Sequence, residues 1–167
     1  MGAEVLTLAD LIPRSPKAVV VGINPAPPSV AVGHYYQGTQ GRRLMKRLLQ
    51  AGLFSCPPGE WHDDAACGAG IGFTDVVKRP TRGSSEVTSG EFDFGRDELR
   101  RKLEEANAPF VIFAFKEAAK RLFGPFEGNG QIPRLTIGKT KVFVMPGPYE
   151  AAATAERRLA ELQQLLA

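Results

Sequence analysis

The run Ala18-Val19-Val20-Val21-Gly22-Ile23-Asn24-Pro25 constrains the fold more than any other stretch of the chain. β-Branched residues in unbroken succession suit a strand buried on both faces, as in a parallel sheet covered by helices on each side. Pro25 keeps Asn24 out of helical geometry, and Pro27 and Pro28 predict that the next segment stays extended or turned. A strand over 18–23 therefore delivers one polar amide to a sharp turn. In such sheets ligands gather outside the carboxyl ends of the strands. An Asn at that place is either a turn former or a working residue.

Two more apolar runs, Phe110 to Phe115 and Val142 to Met145, predict strands of the same kind, and Ile71 to Val77 predicts a short strand or strand-like turn. Between them, Leu44, Leu48 and Leu49 form the apolar stripe of a helix from about Arg42 to Ala51, stopped by Gly52. Thr88-Ser89-Gly90-Glu91 fits a capping box opening a helix that runs to about Ala106. A short helix is expected from Lys116 to Phe123, closed by Gly124, and an amphipathic one from about Glu150 to Leu166. Residues 54–70, rich in Pro, Gly and acids, read as an irregular surface flap with one short helix. Strands alternating with helices make this an α/β chain with a small, mainly parallel sheet.

With 167 residues and 43% hydrophobic content, one domain with one core is expected over 1–167. No stretch approaches the roughly 20 apolar residues that span a bilayer, and Met1 to Leu11 carries Glu4 and Asp10 rather than a basic region followed by an apolar core. A cytoplasmic protein is expected. Cys56 and Cys67 lack the partners of a zinc site and the spacing of a redox pair, so they are expected as free thiols.

If the sheet is parallel, three strand ends meet along one edge: Asn24-Pro25, Lys116 and Pro146-Gly147-Pro148. Asp75 and the Arg79-Pro80-Thr81 turn are placed to close that crevice. The net charge of +3 permits a polyanionic partner without requiring one. Arg42, Arg43, Lys46 and Arg47 form one basic cluster, and Lys78, Arg79 and Arg82 another; each is either a solvated face or a set of phosphate contacts.

Gly22-Ile23-Asn24-Pro25, then Gly33-His34-Tyr35-Tyr36, then Gly72-Phe73-Thr74-Asp75-Val76-Val77-Lys78-Arg79-Pro80-Thr81 with Glu86-Val87 following, resembles the mismatch-specific uracil and thymine DNA glycosylase family. The likeness continues through Phe113-Ala114-Phe115-Lys116 and Val144-Met145-Pro146, so it covers most of Ala18 to Tyr149. It implies a three-layer α/β/α sandwich of the uracil-DNA glycosylase type. It also implies a monomer that flips one base out of DNA and hydrolyses its N-glycosidic bond in base-excision repair, with no metal and no cofactor.

In that likeness Asn24 matches the active-site Asn, whose amide orients a water near the sugar C1′ and is too weak a base to deprotonate it. Asp75 stands where the family varies. A carboxylate there supplies the missing base, or else it caps the loop or pairs with Lys78 or Arg79. Tyr36 aligns with the aromatic that stacks on the flipped base, and of Tyr35 and Tyr36 only one faces inward if the segment is extended. Gly22, Ile23, Pro25 and Ala26 line the base pocket, Ala26 replacing the Gly often found there. His34 touches base or phosphate. Arg42 and Arg43 point to DNA, Arg79 and Thr81 hold the Asp75 loop or bind phosphate, and Lys116 supports the site. No lysine at the first element is placed for a Schiff base, which makes the enzyme monofunctional.

One element departs from the family. Where a small polar segment and a bulky or basic wedge usually enter the gap left by the flipped nucleotide, this chain has Pro146-Gly147-Pro148-Tyr149-Glu150-Ala151-Ala152-Ala153. Tyr149 is the substitute wedge, and weak mismatch specificity is expected, with better activity in single strands. Two other readings share the scaffold: a damage-sensing module that binds nucleic acid without cleaving it, and a hydrolase of free nucleosides.

Overall fold

The computed structural model describes residues 2 and 4–167. Among the described residues five strands form one sheet: β1 (Ala18–Gly22), β2 (Ile71–Asp75), β3 (Phe110–Phe113), β4 (Gly130–Ile137) and β5 (Thr140–Val144). Their order is β2-β1-β3-β5-β4, parallel throughout except for β4, which returns antiparallel along β5. The helices are α1 (Pro27–Val32), α2 (Thr39–Gln50), α3 (His62–Gly68), α4 (Ser89–Ala106), α5 (Lys116–Phe123) and α6 (Ala152–Leu166). Among the described residues no helix is long and apolar enough to cross a membrane.

The period-two alternation of the strands sorts the apolar residues into two cores. Val19, Val21, Val111, Phe113, Val142 and Val144 face α4 and α5, where Leu99, Leu103, Ala118 and Leu122 meet them. Ala18, Val20, Phe73, Ile112, Phe143 and Met145 face the opposite side, against Leu44, Met45 and Leu48 of α2, Ala66 of α3 and Leu162 of α6. Every residue of β1, β2 and β3 is buried, as strands sandwiched between helix layers must be. Each fully buried large side chain, such as Phe73, Phe113 or Phe143, contributes roughly 1.5–3 kcal/mol of apolar transfer. The result is the expected three-layer α/β/α sandwich.

Several expected boundaries shift for physical reasons. Pro27 and Pro28 do not hold an extended segment; they begin α1, occupying the first helical positions, where the missing N–H has no partner to lose. α2 starts at Thr39 rather than near Arg42, which brings the Thr39-Gln40-Gly41 turn to the sheet edge. The segment expected as a surface flap contains α3, whose Ala66 and Asp63 are buried against the β2 side of the sheet. β4 was not expected. Its inward positions alternate around a Pro and two exposed residues, and it turns into β5 at Gly138-Lys139.

Topology selects where a ligand can sit. The chain leaves β1 to build β2 on one side and crosses over to β3 on the other, so loops diverge at the carboxyl end of β1. Residues 4–11 run along the outer edge of β2, where Leu11 and Phe73 exchange backbone hydrogen bonds of 3.0 and 2.7 Å.

Candidate functional site

β1 and β2 remain paired past their formal ends. The Val76 N–H donates to Gly22 O (3.1 Å), Val77 to Ile23 O (2.9 Å) and Thr81 to Pro25 O (3.2 Å). This backbone ladder lays the loop after β2 along the loop after β1 and so fixes Asn24. Its Nδ2 donates to the Arg79 carbonyl at 2.8 Å and to Thr81 Oγ1 at 2.7 Å. A carbonyl only accepts, so the amide nitrogen must face Arg79. Thr81 Oγ1 passes its own proton to Gly83 O at 2.7 Å, which confirms it as the acceptor from Asn24. The Asn24 carbonyl oxygen is left as the face presented to the cavity.

That loop is itself held from α4. Thr88 and Glu91 form the expected capping box: the Glu91 N–H donates to Thr88 Oγ1 and the Thr88 N–H to Glu91 Oε2. Glu91 also takes a two-point ion pair from Arg79, 2.5 Å from Nε and 3.1 Å from Nη2, and Arg79 Nη2 reaches Glu86 O at 2.9 Å. The Arg79 side chain, with the Thr88 backbone N–H, holds the Glu91 carboxyl down to about 2. Arg79 is thus turned toward α4, and its carbonyl orients Asn24.

Asp75 ends β2 directly opposite Gly22 of β1. It is 4% exposed and makes no ion pair with Lys78 or Arg79, whose charges go to Asp10 and Glu91. Among the described residues, two buried side-chain polar atoms lack a hydrogen-bond partner: Asp75 Oδ2 and the Tyr36 hydroxyl. Burial pushes the Asp75 carboxyl up to about 7; Lys78 and Lys102 oppose that rise and Asp10 adds to it. Burial also raises the Tyr36 hydroxyl well above its ordinary range, with the nearby Asp75 charge adding to the effect.

Two glycines make this approach possible. A Cβ on Gly22 would lie 2.4 Å from Asp75 Oδ1 and 3.0 Å from the Tyr36 hydroxyl. A Cβ on Gly41 would lie 2.6 Å from Tyr36 Cα. Tyr36 has φ +62°, a left-handed conformation that costs a non-glycine residue on the order of 1–3 kcal/mol. This reversal explains why both tyrosines turn inward where an extended chain would allow one. Tyr35 is buried with its hydroxyl on Ala9 O, while the Tyr36 hydroxyl reaches the Gly22–Asp75 pair.

These groups border one cavity of about 530 Å³. Of the residues singled out from sequence, Gly22, Ile23, Asn24, Pro25, Ala26, Tyr36, Asp75 and Thr81 line it. Arg79, His34, Lys116, Tyr149, Arg42 and Arg43 do not. Lys116 starts α5 and stands 5.5 Å over the Phe126 ring. His34 faces the other way: its Nδ1 lies 2.9 Å from Oδ1 of the buried Asp63, and its ring stacks on Trp61 at 4.1 Å. Asp63 also accepts from the Tyr35 and Asp64 N–H groups, so its lone pairs are already committed to the local fold. Arg42 and Arg43 are exposed on α2 one turn from the cavity wall, and Tyr149 is 95% exposed.

Arg82, named in the second basic cluster, also lines it, and so do residues that sequence reasoning missed: Thr39, Gln40 and Gly41 at the start of α2, Ser84 and Ser85, and Phe115 beyond β3. Phe115 was legible as the residue following a buried strand at the same sheet edge. Thr39 and Gln40 reach the cavity because α2 begins at Thr39, and Ser84 and Ser85 because the loop after β2 lies along the loop after β1. Arg47, grouped with the basic cluster, donates to Pro146 O at 3.0 Å and to Gly147 O at 3.4 Å, tying α2 to the loop after β5.

A buried carboxyl poised near neutrality beside an oriented amide, at the diverging end of a central parallel strand, suits hydrolysis at an electrophilic carbon. The sequence matches the family described as the Uracil DNA glycosylase superfamily over residues 9–167, from the segment that edges β2 through the last helix. With the sandwich, the first-strand Asn and the second-strand turn all lying inside that match, the chain belongs to the uracil DNA glycosylase superfamily.

Proposed function

We propose that this protein is a monofunctional DNA glycosylase, of the mismatch-specific uracil and thymine type, that flips uracil or a related damaged base into the cavity and hydrolyses its N-glycosidic bond. The observation that carries the reading is the juxtaposition of unpaired, buried Asp75 with the fixed Asn24 carbonyl on one cavity wall. In this reaction the Asn24 oxygen accepts one O–H of a water and Asp75 takes the other proton. The water oxygen bonds to the sugar C1′ as the C1′–N bond breaks, and the base leaves with the bonding electrons and is then protonated. A carboxyl near 7 is half ionised at neutral pH, which suits a general base, and such a group is worth roughly 10²–10⁴-fold. The emerging positive charge on the sugar is stabilised by the same carboxylate once ionised.

The Tyr36 and Phe115 rings border the cavity and supply apolar faces for an extruded base, a contact worth roughly 1–3 kcal/mol. No lysine is among the described residues that line the cavity, which favours water over a Schiff base as the nucleophile. Arg42, Arg43 and Arg82, exposed near its rim, would meet phosphates, so binding should weaken steeply with salt.

The test is release of free base and alkali-labile sites from labelled single-stranded and G·U duplex oligonucleotides, with Asn24→Ala and Asp75→Ala beside the wild type. Uracil-dependent breaks lost in the variants support the reading. Tight, salt-sensitive binding to uracil-containing DNA without any release of base would replace it with a damage-sensing module.

A further inference from the structure

Asp75 is reached from two sides. The catalytic cavity lies in front of it, and behind it is a separate groove of about 270 Å³, bordered by Asp75, Lys78, Lys102, Glu98, Phe94 and Val5 among others. The N-terminal segment borders this groove with Val5, and its Asp10 binds the two lysines of the groove wall. Asp10 Oδ1 accepts from Thr74 Oγ1 at 2.6 Å and from Lys78 Nζ, and its Oδ2 takes Lys102 Nζ. Thr74 is the residue before Asp75 and is wholly buried. Lys78 is anchored further by Leu8 O at 3.4 Å, and its carbonyl accepts from Thr7 Oγ1. One carboxylate and two ammonium groups from three separate elements are therefore knotted one residue behind the unpaired carboxyl.

We propose that Asp10, Lys78 and Lys102 are positioning residues that set, through space, the charge state of Asp75, so that the N-terminal segment governs the pH range of the site. The two cations favour ionised Asp75, and Asp10 offsets part of their field. Burial alone would raise the Asp10 carboxyl, but hydrogen bonds from Lys102, Lys78 and Thr74 hold it below the ordinary range, so it is an anion wherever Asp75 titrates. Of the other charged groups around Asp75, those other than Arg82 at the cavity rim are paired. Arg79 and Glu91 pair with each other, Glu98 pairs with Arg101, and the front wall offers the Tyr35 and Tyr36 hydroxyls and Arg82 at the rim. The knot is the unbalanced source of field on this carboxyl, and Lys78, Asp10 and Lys102 are the charges that act on it, with burial the larger effect. The consequence for catalysis rests on the proposed role of Asp75 as the water-activating base.

The experiment is a ¹³C-carboxyl NMR titration of the full-length, aspartate-labelled protein, with the Asp75 signal assigned by its loss in Asp75→Asn. It is run on wild type, Asp10→Asn, Lys102→Met and the double variant, and base release is measured against pH on the same samples. Asp10→Asn should move the Asp75 midpoint down by about one pH unit and Lys102→Met should move it up by about one, with the double variant between them. Loosening of the N-terminal segment would shift both single variants the same way, so shifts of one sign, or none, overturn the proposal. Lys102 keeps part of its side chain exposed and Met preserves its length, so its variant keeps the test decisive if Asp10→Asn does not fold. Opposite NMR shifts with a base-release profile that does not follow them uphold the electrostatic coupling and remove Asp75 from the chemistry.

Discussion

The loops after β1 and β2 and the loop after β5 occupy the same edge of the sheet and are built in opposite ways. In the first pair every polar group that positions Asn24 is bonded in series: capping box to Glu91, Glu91 to Arg79, the Arg79 carbonyl and Thr81 to the amide. The exception is Asp75, left without a partner inside that rigid frame. The loop after β5 is held at its start by Arg47 on the Pro146 and Gly147 carbonyls, and beyond that tether Tyr149 projects into solvent. Glu150 is drawn aside by Asn129 at 2.9 Å, which Arg158 in turn holds. On the proposed function, the contrast separates chemistry from duplex engagement. One region fixes a reactive geometry by removing freedom; the other presents an aromatic side chain on a lightly held stalk.

The largest effect should come from the unpartnered carboxyl. Asp75→Asn keeps shape and burial and removes the proposed base, so base release should fall by roughly 10²–10⁴-fold while far-ultraviolet circular dichroism is unchanged. The same variant separates function from stability. Because burial raises the Asp75 carboxyl from 3.8 to about 7, the folded state keeps a proton that the unfolded chain gives up. Stability is therefore full below about pH 4 and declines as pH rises through 7. Asp75→Asn removes that decline, and its stability relative to wild type should improve by about 2–3 kcal/mol between pH 5 and pH 8, read from urea unfolding at the two pH values.

Next comes the frame that holds the amide. Thr81→Val preserves volume and leaves Asn24 Nδ2 with one partner in place of two, so the carboxamide gains freedom to rotate. A drop of about tenfold in kcat with little change in KM is expected, since one net hydrogen bond is worth roughly 1 kcal/mol and misorientation adds to it. An unchanged kcat would show that the amide is oriented by the Arg79 carbonyl alone.

The second region should respond more weakly and in binding. Arg47→Met frees the Pro146 and Gly147 carbonyls and loosens the stalk. We expect roughly threefold to tenfold higher KM on duplex DNA with kcat nearly intact. Tyr149→Ala should be the mildest. If the ring fills the gap left by the flipped nucleotide, activity on G·U duplex falls a few-fold and activity on single strands does not change, because only the duplex requires unstacking, at a few kcal/mol. Equal losses on both substrates would mean that Tyr149 contacts the strand rather than wedging the stack.

Much of the sandwich was legible because its strands are continuous apolar runs and α4 and α5 carry strong end signals in Thr88, Glu91 and Gly124. β4 was not, since Pro133 and two exposed residues interrupt its alternation and its stability comes from pairing with β5. The first turns of α1 and α2 were hidden by residues that sequence reasoning reads as breakers, Pro27, Pro28 and Gly41. Only the three-dimensional setting shows the prolines at tolerated positions and the glycine under Tyr36. For the site, Asn24 and Asp75 were visible as polar residues ending apolar strands. That Asp75 is unpaired was not visible, because it depends on Lys78 being claimed by Asp10 and Arg79 by Glu91, contacts that span 68 and 12 positions of chain. His34 was placed near the base by sequence adjacency to Tyr36, and the reversal at Tyr36 turns the histidine to Asp63 and Trp61 instead.

The most direct test of the central claim, that an unpaired Asp75 drives base release, is single-turnover excision from a uracil-containing single strand measured from pH 5 to pH 9 in wild type and Asp75→Asn. The account predicts a wild-type rate that rises with pH and reaches its half-maximum near 7, and a variant whose residual rate has lost that rise. A variant that retains the wild-type rate and the same pH dependence would contradict it.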